Sequence, residues 1–398
     1  MTMMYFHVQW LRFWHNRKNQ AVTLVVLIAT LAYCFYSVPS YQPTWPIDPV
    51  TIKATRDRRR SELSPFSTSS AVQDYPILVK QATAELAALD QKDYRAYAAV
   101  ARKQVLYVDE RIDPMASIQF YFYPMPYYAD DNPFALYDGH YGSQEIAARY
   151  LAVSRYRGGT VTGNVLEERT SLQTLQRTIS GGLTLFLLLV AVFLANDLVT
   201  NDRRHRTVIQ GLPLTPWRAL TAKTGLAWLA TMGITDGFIL ILILTTVFRY
   251  GFGSLGIPTT LFHLPPGRTA YFSTTPLGLY LAKWLVLLAL LIWLFTRLTL
   301  LLSILFRNEY IPLLLAGGAI FSQALYLESG VGAIKNWTTW TLPTYFDVGK
   351  ILSGYQKYLY QTDQITFNRG LLLISGAVLF VELIVLLVTR RRHFALVH

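Results

Sequence analysis

The chain has 398 residues, of which 52 % are apolar and only 15 % charged, and its mean hydropathy is positive. A soluble domain of that length carries more charge, so part of the apolar content must face lipid. The formal net charge of +12 comes from basic residues that flank apolar runs rather than sharing one domain with interleaved aromatics. That placement excludes a nucleic-acid reader and fits the charge bias of membrane loops.

Residues 1–19 place Phe6, Trp10 and Phe13 at spacings of four and three, with Tyr5, Trp14, Arg12, Arg17 and Lys18 nearby. This is the pattern of an amphipathic helix on the inner membrane surface; the plainer alternative is an extension of the first span. Residues 20–38 are the first of six apolar stretches long enough to cross a bilayer, which takes roughly 20 residues. No small-residue cleavage site stands before Pro39, so the stretch reads as a signal anchor. It contains Cys34, the only cysteine, which leaves no intramolecular disulfide.

Residues 39–176 form one large external region. Its opening, 39–65, is rich in Pro and in Arg (Arg56, Arg58, Arg59, Arg60) and predicts an extended linker. Over 74–111 the apolar residues Leu78, Ala82, Leu86, Leu89, Ala96 and Val100 fall on one helix face. A brief alternation over 117–123 predicts one short strand ended by Pro124 and Pro126. Residues 143–157 again have a helical pattern, and a last helix runs from 166 into the second span. The expected domain is therefore small and mainly helical, with at most a minor β component. The aromatic cluster Phe120, Tyr121, Tyr123, Tyr127 and Tyr128 reads first as domain core or an interfacial belt, and second as contact surface for an apolar cargo.

The other five spans are predicted at 178–199, 222–248, within 277–305, at 310–327 and at 370–389. The fifth is short and carries Pro312, Gly317 and Gly318, which predicts a bent or partly re-entrant segment. Residues 200–223 form a loop on the inner side, 249–276 and 328–369 lie outside, and 390–398 form a tail. Basic residues set the orientation. Arg12, Arg17 and Lys18, the group Arg203, Arg204 and Arg206, Arg307, and Arg390 with Arg391 and Arg392 all fall on one side if there are six spans, which makes both termini cytoplasmic.

Asp236, Arg297 and Glu382 lie inside predicted spans and need partners, since an unpaired charge there is costly. Arg297 and Glu382 each sit about eight residues, or ~12 Å, from the inner end, which allows a pair. Asp236 is nearer in depth to Lys283, and Asp197 is close enough to the inner end of its span to reach water. Helix-to-helix adhesion is the favoured reading of these charges over a polar translocation path.

The most informative stretch is the loop containing Asp202, Arg203, Arg204, Arg206, Thr207, Leu212, Pro213, Leu214, Pro216 and Trp217, ending at Lys223. A short Arg-rich helix stopped by prolines makes a compact knob that can dock in a groove of a cytosolic partner; the plainer alternative is a basic loop that only fixes topology. The loop resembles the corresponding loop of ABC-2 type transporter permeases, in which an acidic residue, basic residues and a Gly-Thr lead into a short helix, then Leu-x-Pro-x-Ser/Thr, then a Lys at the start of the third span. It differs in having Asp202 for the usual Glu, Arg206 for the usual Gly, and a different spacing of Pro213 and Pro216. The stretch Leu342-Pro343-Thr344-Tyr345-Phe346 and the basic tail are similar to that family too, as is a large external domain between the first two spans.

The resemblance implies an all-α polytopic fold with six transmembrane helices, working as the permease subunit of a bacterial plasma-membrane exporter. It implies a cytosolic ATP-binding cassette ATPase as partner, holding the ATP and Mg²⁺, and a second copy of this chain or a close relative. Peptides, lipids and small toxic compounds fit as cargo. No Walker loop is present, because Gly349-Lys350 is followed by Ile351 and lacks the preceding glycine. The scattered histidines do not make a zinc motif, the spacing of Asp130, Asp131, Asn132 and Asp138 is not that of a calcium loop, and no nucleophile elbow occurs. A transporter subunit rather than an enzyme is expected. The rival reading is a membrane-anchored ligand-binding, sensor or immunity protein that transports nothing.

Overall fold

The computed structural model of the protein describes residues 2–63, 70–112, 121–201, 215–306, 308–326 and 336–390. Within them the chain is mostly helical, with one small two-stranded sheet. Five helical stretches among the described residues are long and apolar enough to cross a membrane, which makes the chain a multi-pass membrane protein. They are Arg17–Ser40, Gly163–Ala195, Pro216–Tyr250, Leu277–Phe306 and Phe367–Thr389.

The N-terminal helix α1 (Thr2–His15) is separate from α2 (Arg17–Ala32), the start of the first span. Asn16 divides them: its backbone is extended and its side chain accepts from the Lys18 amide, capping α2. Phe13 is buried, and Phe6, Trp10 and Trp14 pack beside it, so the aromatic stripe covers the bundle while Val8 and Leu11 stay exposed.

Between the first two spans, α3 (Pro49–Ser61) occupies the stretch expected to be an extended linker. The prolines misled there. Asp48 caps the helix through the Val50 amide and Pro49 sits in its first turn, where a missing N–H costs nothing. The single helical face expected over 74–111 is instead two helices, α4 (Ser70–Asp90) and α5 (Tyr94–Asp109). Lys92 takes a left-handed backbone (φ 55°) and Asp93 caps α5, so the chain reverses. The long α6 (Ala135–Arg155) packs on α5 around Tyr97, Ala98, Ala101, Ile146, Ala147 and Tyr150. Of the strand expected over 117–123, residues 117–120 lie outside the described residues and 121–124 form no strand.

The second span bends. Helix α7 (Ser171–Thr178) passes through a π turn at Ile179–Leu183, with Gly182 at φ 100°, into α8 (Thr184–Ala195). The third span, α9 (Pro216–Tyr250), has 35 residues and is ~52 Å long, well beyond the ~30 Å of a hydrocarbon core. The fourth is α10 (Leu277–Phe306) and the last α12 (Phe367–Thr389).

The stretch predicted at 310–327 is α-helical only as α11 (Tyr310–Ile320), ~16 Å, before a 3₁₀ turn at Ser322–Leu325. The C-terminal ends of α10 and α12 share one core cluster, through Ile304 and Val385. The chain between them therefore returns to the opposite end of the bundle. There Tyr345, whose ring occupies the space beside Gly370, seats the start of α12.

At that opposite end lies a hairpin that sequence patterning did not single out. β1 (Pro258–His263) pairs antiparallel with β2 (Tyr271–Pro276), from Pro258 opposite Pro276 to His263 opposite Tyr271. Phe262 and Phe272 enclose Tyr141 of α6, with ring centroids 5.2 Å apart in each case, and Tyr358 closes the cluster at 4.3 Å. Tyr141 thus belongs to a seam joining the interhelical domain to the bundle.

Two substitutions probe this architecture. A Cβ on Gly349 would stand 2.4 Å from the Ile179 carbonyl oxygen at the π turn. Gly349→Ala is expected to destabilise the fold by ~1–3 kcal/mol, measured as a lower unfolding midpoint in detergent. His140 Nδ1 lies 3.0 Å from Asp109, which is buried and also accepts from Tyr123 (2.8 Å) and Gln144 (2.7 Å). The hydrogen bond to Asp109 raises the His140 pKa above its ordinary 6.5. A raised pKa favours the protonated folded state, so the stabilisation is complete below about pH 6.5 and lost as pH rises through the raised value. The unfolding midpoint of His140→Gln should fall below wild type at pH 5.5 and converge toward it at pH 9.

Candidate functional site: a polar clamp at the base of the second and third spans

Three of the long helices meet around a guanidinium with almost no exposure. Arg297 on α10 is 1 % exposed, and its Nη2 donates to Glu382 Oε2 on α12 at 2.7 Å. Nη1 donates to Thr224 Oγ1 at 2.9 Å and Nη2 to Thr221 Oγ1 at 3.2 Å, both on α9. Trp293 Nε1, one helical turn earlier on α10, donates to the second Glu382 oxygen at 3.1 Å. The pairing expected from depth is present. Sequence reasoning missed the two threonines and the tryptophan, which one helical turn places on the facing sides.

A second knot lies where the second span ends. Asp197 is largely buried: its side chain is 8 % exposed and bonded to Lys18 at 2.5 Å. Asn16 and Asn201 donate to its other oxygen at 2.5 and 3.0 Å. Lys18 also donates to Asn196 Oδ1 (3.0 Å) and to the Phe193 carbonyl (2.6 Å). Thr200 and Asn196 extend the network to Glu309, at the start of α11. The start of the first span, the end of the second and the start of α11 are thereby held together.

Asp202, Arg203, Arg204, Arg206, Thr207, Leu212, Pro213 and Leu214 lie outside the described residues, as does Phe120. The far end of that loop is described. Thr215 caps α9 through the Arg218 amide, and Pro216 occupies the first turn. Pro216 therefore starts the third span rather than ending a loop helix, which is the one helical position where proline is favoured. Trp217 is 38 % exposed, whereas Lys223 is fully buried and donates to the carbonyl of Leu198. Lys223 thus joins the two ends of the loop beneath it instead of contributing to its outer surface.

Asp236 is not brought to Lys283. It is exposed on α9, and among the described residues it makes no hydrogen bond or ion pair. Gly233 and Gly237 lie beside it on the helix, with open space where a Cβ would stand. Lys283 lies 5.4 Å from the ring centroid of Phe367. In the interhelical domain, Tyr121 and Tyr123 line a cavity, while Tyr127 and Tyr128 are not among its lining residues. Tyr121 donates to Asp74 at 3.0 Å and Tyr123 to Asp109. Tyr128 stands 3.4 Å from the Tyr123 amide, and the Tyr127 hydroxyl fills the space beside Gly142. Asp130 and Asp131 lie in a turn with left-handed backbone, and among the described residues no group of three or more His, Cys, Asp or Glu is placed to hold a metal ion.

No protein-family model, curated protein or solved structure matches this chain.

The clamp makes a quantitative prediction. Removing one member of a buried ion pair leaves the other charge uncompensated and costs ~3–5 kcal/mol, whereas replacing both by apolar residues is often near neutral. Arg297→Met and Glu382→Leu should each reduce the monodisperse fraction recovered in detergent, and the double variant should recover most of it. Equal loss in the double variant would show that the charges do not act as a pair.

Proposed function

We propose that this chain is the membrane subunit of an ATP-driven exporter of the ABC-2 type, acting with a cytosolic ATPase that holds the ATP and Mg²⁺. The observation that carries this reading is the clamp at both ends of the 202–214 loop. Lys18–Asp197 anchors the second span where it enters the loop, and Lys223 ties the base of the third span to Leu198 where the second span ends. A force on the loop is then delivered to both spans together, and through Arg297 to α10 and α12. That is the mechanical requirement for a knob that rocks a bundle when a bound ATPase opens and closes.

Asp236 supports a second copy of the chain or a homologous permease as partner. A carboxylate on an outward face of a span is costly in lipid, and a neighbouring helix approaching over Gly233 and Gly237 would shield it. With the loop facing the cytosol, both termini are cytoplasmic, the domain between the first two spans is extracellular, and the stretch from α11 onward completes a sixth crossing. A bacterial plasma membrane is the setting that the family resemblance implies. A membrane-anchored ligand sensor without transport is the second reading, favoured by the cavity in the interhelical domain.

Gentle detergent extraction followed by affinity purification discriminates the two. The exporter reading expects an ATP-hydrolysing subunit to co-purify at fixed stoichiometry. Leu212→Asp with Trp217→Ala should remove at least nine-tenths of that subunit while membrane insertion and the unfolding midpoint stay unchanged. Absence of any ATP-binding partner from the wild-type preparation would count against transport.

A further inference from the structure

The domain between the first two spans contains a cavity of about 540 Å³, within the ordinary size range of small-molecule sites. Its wall is largely aromatic: Trp45, Tyr97, Tyr121, Phe122, Tyr123 and Tyr150 all face it. Two charged side chains of opposite sign join that wall, Glu85 from α4 and Arg59 from α3.

The state of these two groups is unusual. Glu85 is 3 % exposed and forms no ion pair with Arg59. Its carboxylate is contacted instead by Gln104 of α5, whose amide nitrogen, turned toward it, donates to both oxygens. Burial pushes its pKa up to about 7, with Arg59 opposing the rise. The Nη1 of Arg59 is buried and has no hydrogen-bond partner. A buried guanidinium nitrogen without an acceptor is expensive, and so is a buried carboxylate that feels Arg59 only at a distance and bonds no cation directly.

We propose that this cavity binds a small apolar ligand carrying both an ammonium and a carboxylate, of the class of aromatic amino acids and short aromatic peptides. The ammonium faces Glu85, the carboxylate accepts from Arg59 Nη1, and the apolar body lies among the aromatic rings. A simple organic cation would gain Glu85 but be repelled by Arg59, and a simple anion would meet the reverse conflict. Only a ligand with both charges satisfies both groups, and the aromatic wall offers ring stacking and cation–π contact to such a molecule. The inference concerns binding alone and holds whether or not the chain couples to an ATPase.

The test uses the full chain in detergent at pH 7.5, where the ligand's α-amino group is still mainly protonated and Glu85 mainly ionised, with isothermal titration of the dipeptide Phe-Phe, its N-acetyl derivative and its C-terminal amide. Phe-Phe is expected to bind saturably, and each blocked form at least tenfold more weakly. Glu85→Gln should weaken Phe-Phe at least tenfold while not weakening the acetylated form, from which it removes a like-charge repulsion. Arg59→Gln should do the same with respect to the amide. Lowering the pH to 5.5 protonates Glu85 and should weaken Phe-Phe in the wild type but not in Glu85→Gln. The proposal is overturned if Phe-Phe gives no saturable heat at millimolar concentration, or if the blocked forms bind as well as the free dipeptide. The three probes on wild-type protein decide the matter even if a variant fails to fold.

Discussion

The bundle depends on keeping one guanidinium satisfied where bulk water is absent. Arg297 ties its own helix to two others, and each contact answers a separate requirement: Glu382 balances the charge, and Thr221 and Thr224 accept two further donations. The Nε of Arg297 stays without a partner, so the network is not fully saturated. Because an unpaired charge at this depth is costly, α9, α10 and α12 cannot slide independently without breaking these bonds. The helices around it present mainly leucine, valine and alanine, which pack well but distinguish one register poorly. The polar contacts supply the register.

The same logic recurs at the end of the second span. Asp197 and Lys18 neutralise one another, and three asparagines (Asn16, Asn196 and Asn201) take up the remaining hydrogen-bonding capacity. Lys223 closes the base of the adjoining loop. At the opposite end the fastening is aromatic rather than ionic: Tyr141, Phe262, Phe272 and Tyr358 hold the interhelical domain to the bundle through a hairpin. The bundle thus has an ionic knot at one end and an aromatic seam at the other.

The candidate site was partly legible because charge inside an apolar run is a strong signal. Arg297 and Glu382 stood out in this way, and a rise of 1.5 Å per residue was enough to match their depths. Thr221, Thr224 and Trp293 were invisible by the same measure, since threonine and tryptophan are ordinary in a span. Asp197 lies at the end of its span, as its sequence position indicates, and its burial there comes from Asn16 and Lys18, which the sequence did not bring to it. Asp48 and Pro49 show the opposite error, where prolines read as a linker were the opening of a helix.

By itself the sequence determined that the chain is a helical membrane protein and where its long apolar segments lie, because length and hydrophobicity are local properties that a bilayer reads directly. The helix starts at Asp48, Asp93, Thr215 and Thr366 are likewise local, because a cap acts over three or four residues, although the reading of the sequence passed over those at Asp48 and Asp93. Tertiary structure alone decided which charges meet, that Lys223 turns inward while Asp236 stays outside, and that Glu85 and Arg59 share a cavity without pairing. Each of those outcomes depends on residues distant in the chain and on the rotation of one helix against another, and a rotation of a quarter turn would reverse them.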